Sequence, residues 1–366
     1  MADVVIKARA PWEPHTEIVA TRGNDVAYGF ALGADNTASF NLARDSAAFT
    51  SAPDAFAKGN MITLERADGH LPWVGYIRER KQSISDPMIG FVLGDQANVL
   101  FSQATTPKAW APRTTIAGTL IKEVVAFVND RGHPPLFLQL GSDFGGGPEG
   151  TFETNAADLL SFLRDMSERT GWEWGLSHEV GESVVTRLIW KDRIGENREQ
   201  TVFSEGKSFH DALLTEDVFG YITEAIAVGG SGTFRDRRAL SVSPLGDAQP
   251  GIIGRPFDVQ HERISPALMG SVVFVDQEVT GDEALAAAAK RRFSNPDVTR
   301  EALSFQLVES EIDVAQCEIG ALYTVSFASL RLGLGLERTV RMISMQLGED
   351  GMIDCETEVL DDQAHP

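Results

Sequence analysis

The chain has 366 residues, 43% of them hydrophobic and 23% charged, the balance of a soluble globular protein with room for two or three domains. It carries 32 lysines and arginines against 53 acids, a net charge of −21, which argues against duplex binding because like charge repels a phosphate backbone. No stretch approaches the roughly 18 consecutive apolar residues of a membrane-spanning helix. The N-terminus, Met1 to Lys7, lacks the basic region and apolar core of a signal peptide, so neither export by that route nor a membrane anchor is expected.

Short apolar-alternating runs fill the first hundred residues, at 3–8, 17–20, 26–32, 38–42, 60–65, 73–77 and 89–93. Gly, Asn, Asp or Pro separates them. Period-two alternation with turn residues every ten or so positions predicts antiparallel strands in a barrel-like domain. The charged run Arg78, Glu79, Arg80 and Lys81 continues the sixth of these.

The period then changes. After Pro112, residues Ile116, Leu120, Val124 and Val128 recur at helical spacing, and Gly132 with Pro134 and Pro135 ends the pattern. A Gly-rich loop over 143–150 leads to a second helix, with Asn155 as its expected cap, Asp158 in its first turn, and Leu159, Phe162, Leu163 and Met166 as its apolar stripe. Gly171 stops it. Trp172 and Trp174 open strand-like segments that run through 184–190.

Strands return at 221–228 and 272–275, with loops expected over 229–232 and 244–256. A helix is expected over 283–292, where Thr280 and Glu283 form a capping box and Pro296 follows the end. From Arg300 onward alternation resumes: Leu303, Phe305 and Leu307, then Tyr323, Val325 and Phe327, then Val340, Met342, Met345 and Leu347. The fold class expected is therefore mainly β with an α+β insert. Two barrel-like β domains, 1–112 and 219–366, flank a small α+β domain at 113–218. The two cysteines, Cys317 and Cys355, have no metal-ligand spacing and read as buried free thiols in a reducing compartment.

Candidate chemistry is sparse. The Gly-rich loop lacks the lysine of a phosphate cradle, and Asp143 and Glu149 would repel an anion, so it reads as a flexible surface loop. No two histidines stand three or four residues apart. His178 lies near Glu179 and Glu182, where a solvated turn is the expected setting. Asp165, Glu168 and Glu173 could be imagined as an acid–base pair, but among 53 acids such groupings arise by chance. Trp73, Trp172 and Trp174 could stack a sugar, though core anchoring is the commoner use. Arg78–Lys81 and Arg235–Arg238 are local basic patches. No Gly-x-Ser-x-Gly elbow occurs. No catalytic, cofactor-binding or metal-binding residue is assigned.

Three segments together resemble the tail hub (baseplate hub) proteins of tailed bacteriophages. Gly59 to Gly69 followed by Trp73 to Ile77 looks like a strand–turn–strand of the family's first barrel. Asn155 to Trp174 is similar to the helix-then-strand segment between barrels. Glu318 to Phe327, Arg338 to Leu347 and Met352–Leu360 look like the closing strands of the second. Residues 233–265 match nothing in that pattern, and no lytic domain is expected after Leu360, so wall digestion would fall to other proteins.

The resemblance implies a homotrimer at the virion tail tip, assembled in the host cytoplasm and closing the distal end of the tail tube. Two similar barrels in three copies would meet a sixfold ring. It also implies contacts with the distal tail protein, the tape-measure protein and a fibre or spike. DNA would pass on ejection without specific binding, repelled by a carboxylate-lined lumen. No cofactor is implied. The rival expectation is a carbohydrate-active or peptidoglycan-cleaving enzyme that uses two of the many carboxylates.

Overall fold

The computed structural model describes residues 4–12, 15–33, 36–132, 136–141, 144–155, 158–216, 224–229, 238–242, 249–250, 271–276, 301–328, 337–348 and 350–360. The chain divides into two compact units, Met1–Leu213 with Leu303–Pro366, and Leu214–Ala302. The described chain is mostly β, with a large antiparallel sheet and few helices, as its alternation predicts.

The N-terminal strands are β1 (Val4–Arg9), β2 (Glu17–Arg22), β3 (Asn24–Ala31), β4 (Thr37–Ala43), β5 (Met61–Arg66), β6 (Trp73–Gln82) and β7 (Met88–Asp95), with a short helix α1 (Ala47–Ser51) after β4. Each begins within a residue or two of its predicted start. In β4 the residues Ala38, Phe40 and Leu42 are buried and their neighbours less so, the pattern of a strand with one face on a core. Phe40 stacks on Phe91 of β7 at 4.8 Å between ring centroids, and Phe56 leans on Phe91 at 5.8 Å. These rings centre the first core.

Next come α2 (Gln96–Val99), β8 (Lys108–Ile116), α3 (Ala117–Arg131), β9 (Leu138–Leu140), β10 (Glu149–Asn155), α4 (Leu159–Thr170), β11 (Glu173–Val180) and β12 (Val184–Lys191). α3 starts at Ala117 rather than just after Pro112, because 108–116 is a strand paired antiparallel with β10. The β-branched Thr114, Thr115 and Ile116 favour extended backbone. The ladder slips register between the Arg113–Phe152 and Trp110–Thr154 pairs, the stretch holding Pro112, which has no N–H to donate. The cap of α4 is Asp158, whose carboxylate accepts from the Ser161 N–H at 2.8 Å; Asn155 ends β10 instead. Both helices stop at glycines in the left-handed region, Gly132 and Gly171, as expected. The stripe Leu120, Ile121, Val124 and Val128 packs with Leu159, Leu163 and Met166 against Trp174, Leu188 and Trp190, a core of its own.

β13 (Asn197–Ser204) and β14 (Phe209–Glu216) follow. β13 runs parallel to β20 (Leu322–Ser326), and β14 neighbours β19 (Glu301–Val308). β21 (Glu337–Leu347) and β22 (Met352–Leu360) complete the set. Phe203 and Phe209 meet Phe305, Tyr323 and Phe327 at 5.1–6.3 Å, which makes a second aromatic core.

One sheet of thirteen strands joins these parts, in the order β14-β19-β22-β21-β3-β4-β7-β6-β5-β1-β2, with β20 on β21 and β13 on β20. β21 is the hinge of this arrangement. Its residues 337–341 pair with β20, whereas 344–347 pair with β3. A register break between Met342 and Ser344, on the β22 side, marks the change of partner.

The second unit holds a four-stranded sheet, β17 (Gln249–Pro250), β16 (Arg238–Val242), β15 (Glu224–Gly229) and β18 (Ser271–Asp276), in that order. β15 pairs parallel with β18 and antiparallel with β16. β15 and β18 match the predicted strands. β16 lies within 233–265, which resembled nothing, and Gln249–Pro250 pairs with β16 where a loop was expected. The expected helix over 283–292 lies outside the described residues.

Candidate functional site

Among the described residues no group of three or more His, Cys, Asp or Glu side chains could hold a metal. The Gly-rich loop is a packed cap and not a flexible surface loop. Its carbonyls take the first amides of α3: the Ala117 N–H donates to Pro148 O at 3.0 Å and the Gly118 N–H to Gly146 O at 2.6 Å. Gly145 N–H donates to Trp190 O at 2.8 Å, and a Cβ on Gly118 would collide with the carbonyl oxygens of Gly145 and Gly146. A helix start binds anions through free N–H groups. Here two of them already face carbonyls.

His178 sits within β11, opposite Thr186 of β12, and not in a solvated turn. Its Nδ1 lies 3.1 Å from Thr186 Oγ1, and burial pushes its pKa down to about 4, so the ring is neutral near pH 7. Glu179 of the same strand pairs with Arg187 at 2.8 Å. Asp165 and Glu168 are exposed on α4, and Asp165 meets Arg169 at 3.8 Å. Glu173 is drawn into a different cluster, described below. Trp73 and Trp174 are buried in cores, and Trp172 covers Gly145 and Gly147. Cys317 and Cys355 are free and buried; desolvation raises both pKa values, that of Cys317 to about 12, so both stay protonated thiols. Arg235 to Arg237 lie outside the described residues.

The polar side chains that converge do so at the junctions between the parts of the first unit. Arg9 of β1 is fully buried. Its Nε donates to Thr63 Oγ1 at 3.2 Å, its Nη1 to the His15 and Glu182 carbonyls, and its Nη2 to Glu65 Oε1 and the Gly181 carbonyl at 3.0 Å each. It thereby ties the β11–β12 turn to the N-terminal strands. Arg66 at the end of β5 donates from Nη2 to Asp68 and to Glu309, both at 2.7 Å, which reaches the segment after β19. The Arg66 hydrogen bond is the main reason Asp68 stays below the usual carboxylate range.

Arg341 of β21 makes the third junction. Its Nη2 donates to Glu173 Oε2 at 2.6 Å and to Ile194 O at 3.2 Å, while Nε donates to Gly320 O at 3.1 Å. The Ile194 N–H donates to the same Glu173 oxygen at 2.7 Å. Beside it Gly195 and Gly320, at φ 92° and 82°, press backbone to backbone, so a Cβ on either would strike the other's segment. The sequence reading singled out none of these arginines, because the partners that make each a junction, Glu182 for Arg9, Glu309 for Arg66 and Glu173 for Arg341, stand far away along the chain.

Two surface features of this unit lie apart from the junctions. An open groove of about 720 Å³ runs beside β13, where residues 198–201 leave register with β20. Glu196, Arg198, Val202, Glu311, Ile312 and Asp313 are among its walls. The outer end of the β6–β7 hairpin is the other: residues 81–87 are all exposed, and Ile84 at its tip is 101% exposed.

This arrangement holds cores together and shows no assembled reaction centre among the described residues. No family profile and no curated protein sequence matches the chain. Solved structures do. The 43 kDa tail protein of prophage MuSo2 from Shewanella oneidensis superposes with a TM-score of 0.63 at 12% identity, over 100% of this chain and 99% of that one. The tail protein from Neisseria meningitidis MC58 gives 0.62 at 10%, over 98% and 96%. Prophage tail protein gp18 from Listeria monocytogenes EGD-e gives 0.60 at 9%, over 99% and 95%. The chain is similar in fold, from end to end, to phage tail proteins.

Proposed function

We propose that the protein is a structural component of a phage tail, the hub that closes the distal end of the tail tube. It would assemble as a homotrimer, adapt sixfold to threefold symmetry, and leave a channel through which DNA exits on ejection. The observation that carries the reading is the end-to-end likeness to three tail proteins, two of them from prophages, each matched over nearly its whole length.

Two further observations support it. One sheet carries two aromatic cores, around Phe40, Phe56 and Phe91 and around Phe203, Phe209 and Phe305, and this doubling supports two barrel-like parts; of the proposed bounds, 1–112 and 219–366 about an insert at 113–218, the second reaches this sheet only from Glu301 onward, since 214–302 forms the second unit. In this plan β13 and β14, from the insert's end, complete the second part. The charge of −21 suits a lumen that DNA crosses without sticking. The neighbours proposed are the distal tail protein, the tape-measure protein and a fibre or spike, within the virion tail.

The mass of the purified chain in solution tests the assembly, and incubation with peptidoglycan tests the role. Expected are a trimer of 39.8 kDa chains and no soluble fragments released. Fragment release abolished by a single Asp or Glu substitution would overturn the structural role in favour of a wall-cleaving enzyme.

A further inference from the structure

We infer that the β6–β7 arm of one copy of this chain docks in the β13 groove of the next, and that this head-to-tail contact closes the ring. The inference rests on the trimer proposed above and specifies its interface.

The arm is built to be used. Beyond a register break between Ile77 and Glu79, β6 and β7 stay paired out to the Gln82–Ile89 rung, and Arg44 after β4 donates to the Ser83 and Pro87 carbonyls at the base of the tip. Residues 81–87 form an unbroken exposed run, and Ile84 at 101% touches nothing in its own chain. A single exposed isoleucine is unremarkable. This isoleucine stands at the tip of a hairpin whose β6 strand carries Arg78, Arg80 and Lys81 against Glu79, with Asp86 on the far side of the tip, so the knob has a small basic excess beside it. Lys81 is 69% exposed and only loosely met by Glu79 at 3.5 Å.

The groove is its complement in both respects. Val202, 46% exposed, and Ile312 give its mostly polar lining an apolar patch. Glu196, Glu311 and Asp313 outnumber Arg198 on its walls, and Arg198 is already engaged by Glu196 at 3.4 Å and Glu318 at 2.9 Å. A groove with spare negative charge and an apolar patch takes a basic strand end bearing an aliphatic tip. Arm and groove are different surfaces, so the contact is heterologous; repeated by a threefold rotation it closes a ring with no knob or groove left over.

A cysteine pair tests it. Ile84→Cys with Val202→Cys places thiols at both proposed partners on exposed positions, and the native Cys317 and Cys355 are buried. The contact predicts disulfide-linked species up to the trimer under mild oxidation of the full chain, and none with either single variant. Ile84→Glu should weaken assembly by about tenfold or more, from the loss of one buried aliphatic side chain. Lys81→Glu should weaken it as well, and Glu311→Lys added to Lys81→Glu should restore part of the loss. Far-ultraviolet circular dichroism confirms that each variant is folded.

A trimer that persists in Ile84→Glu and never cross-links would overturn the contact and leave the hub reading standing. A trimer in which Val202→Cys stays open to maleimide would assign the groove to another protein, and so also overturns the contact. A wild-type chain that is monomeric at every concentration would overturn the trimer itself.

Discussion

Arg9 presents five N–H groups to a site with no solvent, and five acceptors receive them: Thr63, Glu65 and the carbonyls of His15, Gly181 and Glu182. Removing such a residue strands the groups it served, so Arg9→Met is expected to cost about 3 kcal/mol in urea unfolding. Arg9→Lys should recover little, because an ammonium has three donors and no planar fork. Glu65 gives this cluster a pH dependence. Burial alone would raise its pKa, but hydrogen bonds from Lys7, Thr63 and Arg9 outweigh it and hold the carboxyl below its ordinary 4.5. A depressed carboxylate contributes stability that is present above the unfolded pKa and is lost as pH falls through the folded one. Unfolding midpoints of Glu65→Gln should therefore fall less steeply below about pH 4.5 than those of the wild type. His178 acts in a higher window. Its native ring resists protonation down to about 4 while the unfolded ring takes a proton near 6.5, so stability falls as pH drops between those values. In His178→Asn that decline should disappear, whereas an unchanged profile would show that the ring is not desolvated.

At the scale of elements, the strands were legible because alternation is local. The residues that bury one face of β4 or β19 stand two apart in the sequence, and glycine or Asp-Gly corners separate one strand from the next. The helices α3 and α4 were legible in body and C-terminal stop, less so at their starts, whereas the one-turn helices α1 and α2 were too short to show a period. At 108–116 a strand runs directly into α3, and the helical spacing that begins at Ile116 hides the boundary. What did not show was pairing between distant segments. The switch of β21 from β20 to β3, and the placing of β13 and β14 on the C-terminal strands, depend on partners far away along the chain. The same reason concealed the Arg341–Glu173 junction, and the loop over 143–150 showed its glycines but not the helix start they fit. The Gly195–Gly320 approach beside that junction is a test at this scale. Gly195→Val adds a side chain at positive φ and into the Gly320 backbone, and should cost about 2–4 kcal/mol, read as a lowered thermal midpoint. Gly195→Val with full stability would mean the two segments are not pressed together.

For the whole molecule, the first unit has two aromatic cores on one sheet, and Arg9 and Arg341 tie that sheet to the α+β segment between them. The proposed hub would need such a tied body, and the proposed contact of arm and groove would join its copies. The acidic balance belongs to this scale too. If carboxylates serve DNA passage, they should concentrate on the inner face of the ring, and replacing a lumenal set with lysines should retain DNA that the wild type does not bind at low salt. An even scatter of acids over the outside would leave them a role in solubility alone. The most direct test of the account is the symmetry of the purified particle by electron cryomicroscopy. The account predicts a threefold ring around an open channel, with two similar strand-rich parts of each chain facing the sixfold side. A monomer, or a closed dimer without a channel, would contradict it.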